Sequence, residues 1–339
     1  MRFFYNSITF IFLNIITCSL IGQTLHYSQF FSSPLHLNPA LTGVIDSDWR
    51  FVNNSRSQGQ YFGNPMRTIS VSYDKSIHFY KSTMGIGALY SYDNSAGSTF
   101  PASKFYISGA SMVRISENSY LGGGLQVGWV SRSLTYSQLT FPEQYDRDKG
   151  GFNPSLPMSE NFPEKSSNYL DVNMGVLWNF KGEKFVLSSG LAAYHLNTPK
   201  DYFLDEDSQL KIRTNWHGSL RYQLNEQFYI LPQSYFTLQN KTSEWVLGSS
   251  VGMQLDTKNE DFKSMSLGLY IRDGFGTKLE SAILMVGLSY RNWTAMTSID
   301  IDVSGLKTQH VFSNALELSL IYQRPWAVLK KRTIPCVRF

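Results

Sequence analysis

Residues 171–180 read DVNMGVLWNF. Val172, Met174, Val176, Trp178 and Phe180 share one face of an extended chain, while Asp171, Asn173, Gly175 and Asn179 share the other. Successive side chains leave an extended backbone in opposite directions, so this alternation marks a strand with one apolar and one polar side. The period recurs along the chain. In TISVSYD, Ile69, Val71 and Tyr73 oppose Ser70, Ser72 and Asp74. In RTNWHGSLRYQL, Trp216, Leu220, Tyr222 and Leu224 oppose Arg213, Asn215, His217, Ser219, Arg221 and Gln223. Leu316, Leu318, Leu320 and Tyr322 likewise oppose Glu317, Ser319 and Gln323. A second face this polar is expected to see water.

Strand-like segments of the length that crosses a bilayer at a tilt, about 9 to 11 residues, occupy 50–57, 68–77, 84–93, 103–115, 120–136, 168–180, 184–196, 212–224, 227–240, 244–255, 262–273, 280–290, 293–303 and 312–323. Their connections alternate in length. SENS, KGE, NEQ and RN are short, whereas YFGNPMR, DNSAGSTFPA and LTFPEQYDRDKGGFNPSLPMSENFPE are long. Short periplasmic turns and longer outer loops are the pattern of an outer-membrane barrel. Lipid cannot satisfy backbone donors and acceptors, so such a sheet must close on itself. The expected fold is all-β: a transmembrane outer-membrane β-barrel of about 14 antiparallel strands over 50–323. The link near Lys241, short where a long one is due, is the weakest point of the count. Tyr73, Tyr90, Trp129, Trp178, Tyr194, Trp216, Tyr222, Tyr270, Tyr290 and Tyr322 lie near strand ends and are expected to form the interfacial girdles.

The N-terminus fits this destination. Arg2 precedes an apolar run that ends at Gly22, the layout of an export signal over 1–22, which makes Gln23 the first mature residue. Losing Arg2 lowers the formal charge of +4 by one. Without clustered Lys and Arg this balance gives no case for nucleic acid. Aromatics reach 15% and charged residues only 17%, the latter below a soluble norm of roughly 25%. Cys18 leaves with the signal and Cys336 remains, so no disulfide framework exists.

Residues 23–43, QTLHYSQFFSSPLHLNPALTG, have no period. This stretch resembles the N-terminus of the PorP/SprF family, outer-membrane proteins of type IX secretion, at His26, Tyr27, Ser28, Gln29, Phe30, Asn38, Pro39, Ala40 and Gly43. DWRFVNNSRSQ, YLDVNMGVLW, GLAAYHLNTPKDYF and NALELSLIY look like family segments in the expected order. The ending PCVRF resembles the family's Pro-Cys-Pro-Arg-Phe, with Val337 in place of the second proline. The resemblance implies an outer-membrane location and an accessory role without catalysis or cofactor. The implied partners are outer-membrane lipids, secretion components and a secreted surface protein such as a gliding adhesin. It also implies a periplasmic lead-in over 23–49 that caps or enters the barrel, and a periplasmic tail over 324–339. The candidate partner-binding residues are the nine named above together with Cys336, Arg338 and Phe339. Asn38 before Pro39 is expected to turn the chain there.

Other classes are poorly served. The six histidines lie on different elements, with no Ser-His-Asp order and no close His or Cys pair for a metal. LGGGLQVGW at 121–129 lacks the following helix of a phosphate loop, and relief of crowding in a curved strand explains its glycines. The acidic run DYFLDED at 201–207 reads as a solvated loop. Arg213, Arg221 and Arg272 line a water-filled pore or pair to plug it. An open lumen would favour the alternative, a porin or solute channel.

Overall fold

The computed structural model describes residues 27–59, 65–79, 82–95, 100–134, 142–146, 150–153, 156, 165–201, 209–240, 242–255, 261–274, 278–303 and 315–326. The strands, in chain order, are β1 (Trp49–Gln58), β2 (Met66–His78), β3 (Ser82–Ser95), β4 (Phe100–Arg114), β5 (Ser119–Leu134), β6 (Tyr145–Asp146), β7 (Gly151–Phe152), β8 (Lys165–Lys181), β9 (Phe185–Tyr194), β10 (Arg213–Gln223), β11 (Phe228–Gln239), β12 (Thr242–Gln254), β13 (Phe262–Gly274), β14 (Lys278–Tyr290), β15 (Trp293–Asp302) and β16 (Ala315–Arg324). All but β6 and β7 form one closed antiparallel barrel of 14 strands. β1 and β16 close it in register from Trp49↔Arg324 to Gln58↔Ala315. The small hairpin β6–β7 belongs to the long connection between β5 and β8.

The period of two decides which side chains meet lipid. Leu170, Met174, Val176 and Trp178 are exposed on the outside of β8, and Asp171 and Asn173 are buried inside it. Leu316, Leu318 and Leu320 face out from β16, while Glu317 and Ser319 are buried. This apolar exterior on a closed barrel places the protein in the outer membrane. Short turns lie at the end where β1 begins and β16 ends, which the turn pattern assigns to the periplasm. Around that rim Trp49 contacts the rings of Tyr73 and Tyr322, and Trp293 lies 4.7 Å from Tyr322. Two residues expected in the girdles are elsewhere: Tyr194 and Tyr270 are buried in the bore, because their strand parity matches Ala192 and Arg272. The short link at Lys241 joins β11 to β12 on the loop side, where Asn240 takes a φ of 56°, a conformation asparagine tolerates.

Much of the polar inner face is covered by the chain's own N-terminal segment. Residues 27–43 run inside the bore, as a 3-10 turn (Phe30–Ser32), one α-helical turn (Pro34–Leu37) and a second 3-10 turn (Pro39–Leu41). Pro34 and Pro39 each open a turn, where a missing N–H is harmless. On one side Phe30 and Leu37 join Val246, Tyr270, Ile283 and Met285, and Phe30 stacks on Tyr235 at 5.4 Å. On the other, Leu35 is enclosed by Leu89, Tyr106, Val130 and Tyr169. The segment therefore reaches opposite walls and is a plug.

Candidate functional site

The plug is held at three levels. At the tip, the Glu317 carboxylate accepts from the backbone N–H of Ser28 at 2.8 Å and of Gln29 at 3.1 Å. Ser28 Oγ donates to Asp300 at 2.6 Å and accepts from Arg56 and Arg272. Arg56 pairs with both Asp300 and Glu317, and Arg272 with both Asp300 and Glu244. Each of these five wall residues stands two positions from the loop-side end of its strand, so they form a charged ring just below the rim. Buried charges persist only when paired and hydrogen-bonded, and here the plug backbone supplies part of that satisfaction.

The middle level centres on Asn38. Its Nδ2 donates to the carbonyls of Val176 at 3.0 Å and Leu191 at 3.3 Å, and lies 3.1 Å from His217 Nε2. Its Oδ1 accepts from Ala40 N at 2.8 Å, capping the turn that Pro39 opens. The wall makes room with glycines. A Cβ on Gly175 would fall on Asn38 Oδ1, one on Gly190 would lie 2.6 Å from Asn38 Nδ2, and one on Gly124 would collide with the Pro39 carbonyl. Gln126 and Tyr194 fix the neighbouring turn by donating to the carbonyls of Leu35 and His36 at 3.1 and 2.7 Å.

At the base, Asp74 accepts from Gly43 N at 2.8 Å and holds Arg50 through both carboxylate oxygens. Gly43 has a φ of 71°, and its Cα abuts Gly85 so closely that a Cβ on either would strike the other backbone. Thr42 Oγ1 reaches Ser108 Oγ at 2.9 Å.

Tyr27, Ser28, Gln29, Phe30, Asn38, Pro39, Ala40 and Gly43 are thus brought together as the plug and its anchors. Ser28, Gln29 and Asn38 are fully buried and offer no surface to a second protein while the plug is seated. His26, Cys336, Arg338 and Phe339 lie outside the described residues, as does the acidic run 201–207 apart from Asp201, which pairs with Arg132. The wall partners Glu317, Asp300, Arg56, Asp74, Gly175 and Gly190 were not singled out from sequence as site residues. Their one visible signal was a polar or glycine residue at inward parity.

Burial governs the plug's titratable groups. It pushes the Tyr27 phenol well up and, with Lys104 and Arg213 nearby, drives the His36 imidazole down to about 3, so His36 is neutral at neutral pH. Among the described residues no group of three His, Cys, Asp or Glu side chains is placed to hold a metal ion.

A family model described as type IX secretion system membrane protein PorP/SprF matches residues 19–322. No curated protein sequence matches the chain. Among solved structures, the barrel is similar to a Pseudomonas aeruginosa FadL homologue, with a TM-score of 0.51 at 11% identity over 86% of this chain and 94% of that one. The Ralstonia pickettii toluene transporter TbuX gives 0.52 at 10% identity over 87% and 94%, and the monoaromatic hydrocarbon channel CymD 0.52 at 12% over 87% and 93%. At such identities the likeness is one of fold.

Proposed function

The chain belongs to the PorP/SprF family of type IX secretion system membrane proteins, and from that premise we propose that it is an accessory barrel assisting export or surface attachment of secreted proteins, adhesins among them, through protein–protein contacts. The observation that carries this reading is the seated plug. Among the described residues the inner wall is committed to Ser28, Gln29, Asn38 and Gly43, which speaks against an open path for a solute or an extended chain. Work done by a plugged barrel falls to its surfaces: the outer loops, the periplasmic rim and the C-terminal tail with Cys336, Arg338 and Phe339. The opening motif contributes by fixing wall and plug in one shape, which presents those surfaces in a constant arrangement.

The test is quantitative proteomics of cell surface and medium in a deletion strain, its parent and a complemented strain. Selective loss of type IX cargo, restored on complementation, is the expected result. An unchanged secreted set with slower uptake of a small solute would replace this reading with that of a channel.

A further inference from the structure

Between the plug and the loop-side half of the wall lies a cavity of about 50 Å³, lined by Lys104 of β4 and Arg213 of β10 on the wall and by His36 on the plug. At roughly 10–15 Å³ for each water this is room for about four waters, or for one small oxyanion.

Two cations face it, with the carboxylates of Asp171 and Asp93 in electrostatic range of Lys104. Among the described residues, neither the Lys104 ammonium nor the Arg213 guanidinium makes a hydrogen bond or an ion pair. Arg213 lies over the Tyr194 ring at 4.3 Å, and its Nε is buried without a partner. The inward arginines Arg50, Arg56, Arg132 and Arg272 each hold a carboxylate. Asp171, the acidic residue lining the cavity, is already engaged: Oδ1 meets His195 Nδ1 and Oδ2 accepts from Tyr106, both at 2.8 Å. Asp93 lies within electrostatic reach of Lys104, and one of its oxygens accepts from Thr68. From the plug side, His36 Nε2 is likewise buried and unpartnered. A buried nitrogen without a hydrogen-bond partner is costly, and Arg213 Nε and His36 Nε2 both stand so beside a cavity with room for an acceptor.

We propose that this cavity is a binding site for a small oxyanion, a phosphate or a short carboxylate, held by Lys104 and Arg213 from the wall and by His36 Nε2–H from the plug. With donors on both bodies, the anion ties the plug to β4 and β10.

Equilibrium binding of radiolabelled phosphate, and in parallel of acetate, to the detergent-solubilised barrel tests this in wild type, Lys104→Gln, Arg213→Gln and Lys104→Arg. The expected result is saturable binding of at least one of the two, and which one binds identifies the oxyanion. Either glutamine variant should weaken that binding roughly tenfold or more, the loss of one charged hydrogen bond, while Lys104→Arg retains it. Heat-modifiable migration on electrophoresis certifies each barrel as folded, and if one glutamine variant does not fold the other serves alone. No saturable binding of either anion below about 10 mM, or binding unchanged in a folded glutamine variant, would overturn the assignment.

Discussion

Glu317, on the last strand, accepts the backbone N–H of Ser28 at 2.8 Å across a sequence separation of 289 residues. One carboxylate therefore joins the start of the plug to the strand that closes the barrel, and holds Arg56 at the same time. Glu317→Ala removes two acceptors from plug N–H groups and leaves a buried guanidinium short of a partner. A broken buried pair costs roughly 3–5 kcal/mol. The tip of the plug is expected to become susceptible to protease in this variant while the barrel stays folded by heat-modifiable migration. Unchanged resistance of residues 27–33 would show that the tip is held by other means.

Asn38 and Gly175 form a testable pair, since a Cβ at 175 would fall on Asn38 Oδ1. Gly175→Ala should unseat the plug in the wild-type background. In an Asn38→Ala background the same change should cost at least about 1 kcal/mol less, because the colliding atom is gone. Plug protection measured by hydrogen exchange in the four proteins of this double-mutant cycle gives the coupling. Strictly additive effects would contradict the contact.

Acidification should loosen the plug through His36. Its pKa is lowered from 6.5 to about 3 in the seated plug, chiefly by burial and then by Lys104 and Arg213. Above pH 6.5 the imidazole is neutral whether seated or released, so it contributes no pH dependence. Between 6.5 and about 3 the released form binds the extra proton, so seating weakens as pH falls, by on the order of 1 kcal/mol for each pH unit. Protease susceptibility of the plug should rise from pH 7 to pH 5 more steeply in wild type than in His36→Gln. Superimposable curves would remove His36 from the account.

The barrel was legible in the sequence because lipid demands an apolar side chain at every second position, and strands such as 171–180 display that demand locally. That the opening segment enters the bore was implied only by resemblance and not by the residues themselves, for a reason visible in Glu317 and Ser70. A polar residue at inward parity looks the same whether it faces water or a buried polar segment, so the inner face read as water-lined. Contacts such as Asp74 to Gly43 and Glu317 to Ser28 span 31 and 289 positions in the chain and leave no local period. The glycines show the same limit. LGGGLQVGW was read as relief of crowding, yet it is Gly124 alone in that triplet whose Cβ would strike the plug. The opening motif was found by resemblance, while its chemistry as donors and caps became clear only against β8, β9, β15 and β16.

The claim that the N-terminal segment closes the bore is tested most directly by single-channel recording of the purified protein in planar bilayers, wild type beside a variant lacking residues 27–43. The account predicts no steady conductance from wild type and a stable ohmic pore from the deletion, provided the deleted barrel still migrates as folded. A stable open pore in wild type at neutral pH would contradict it and return the barrel to the channel class.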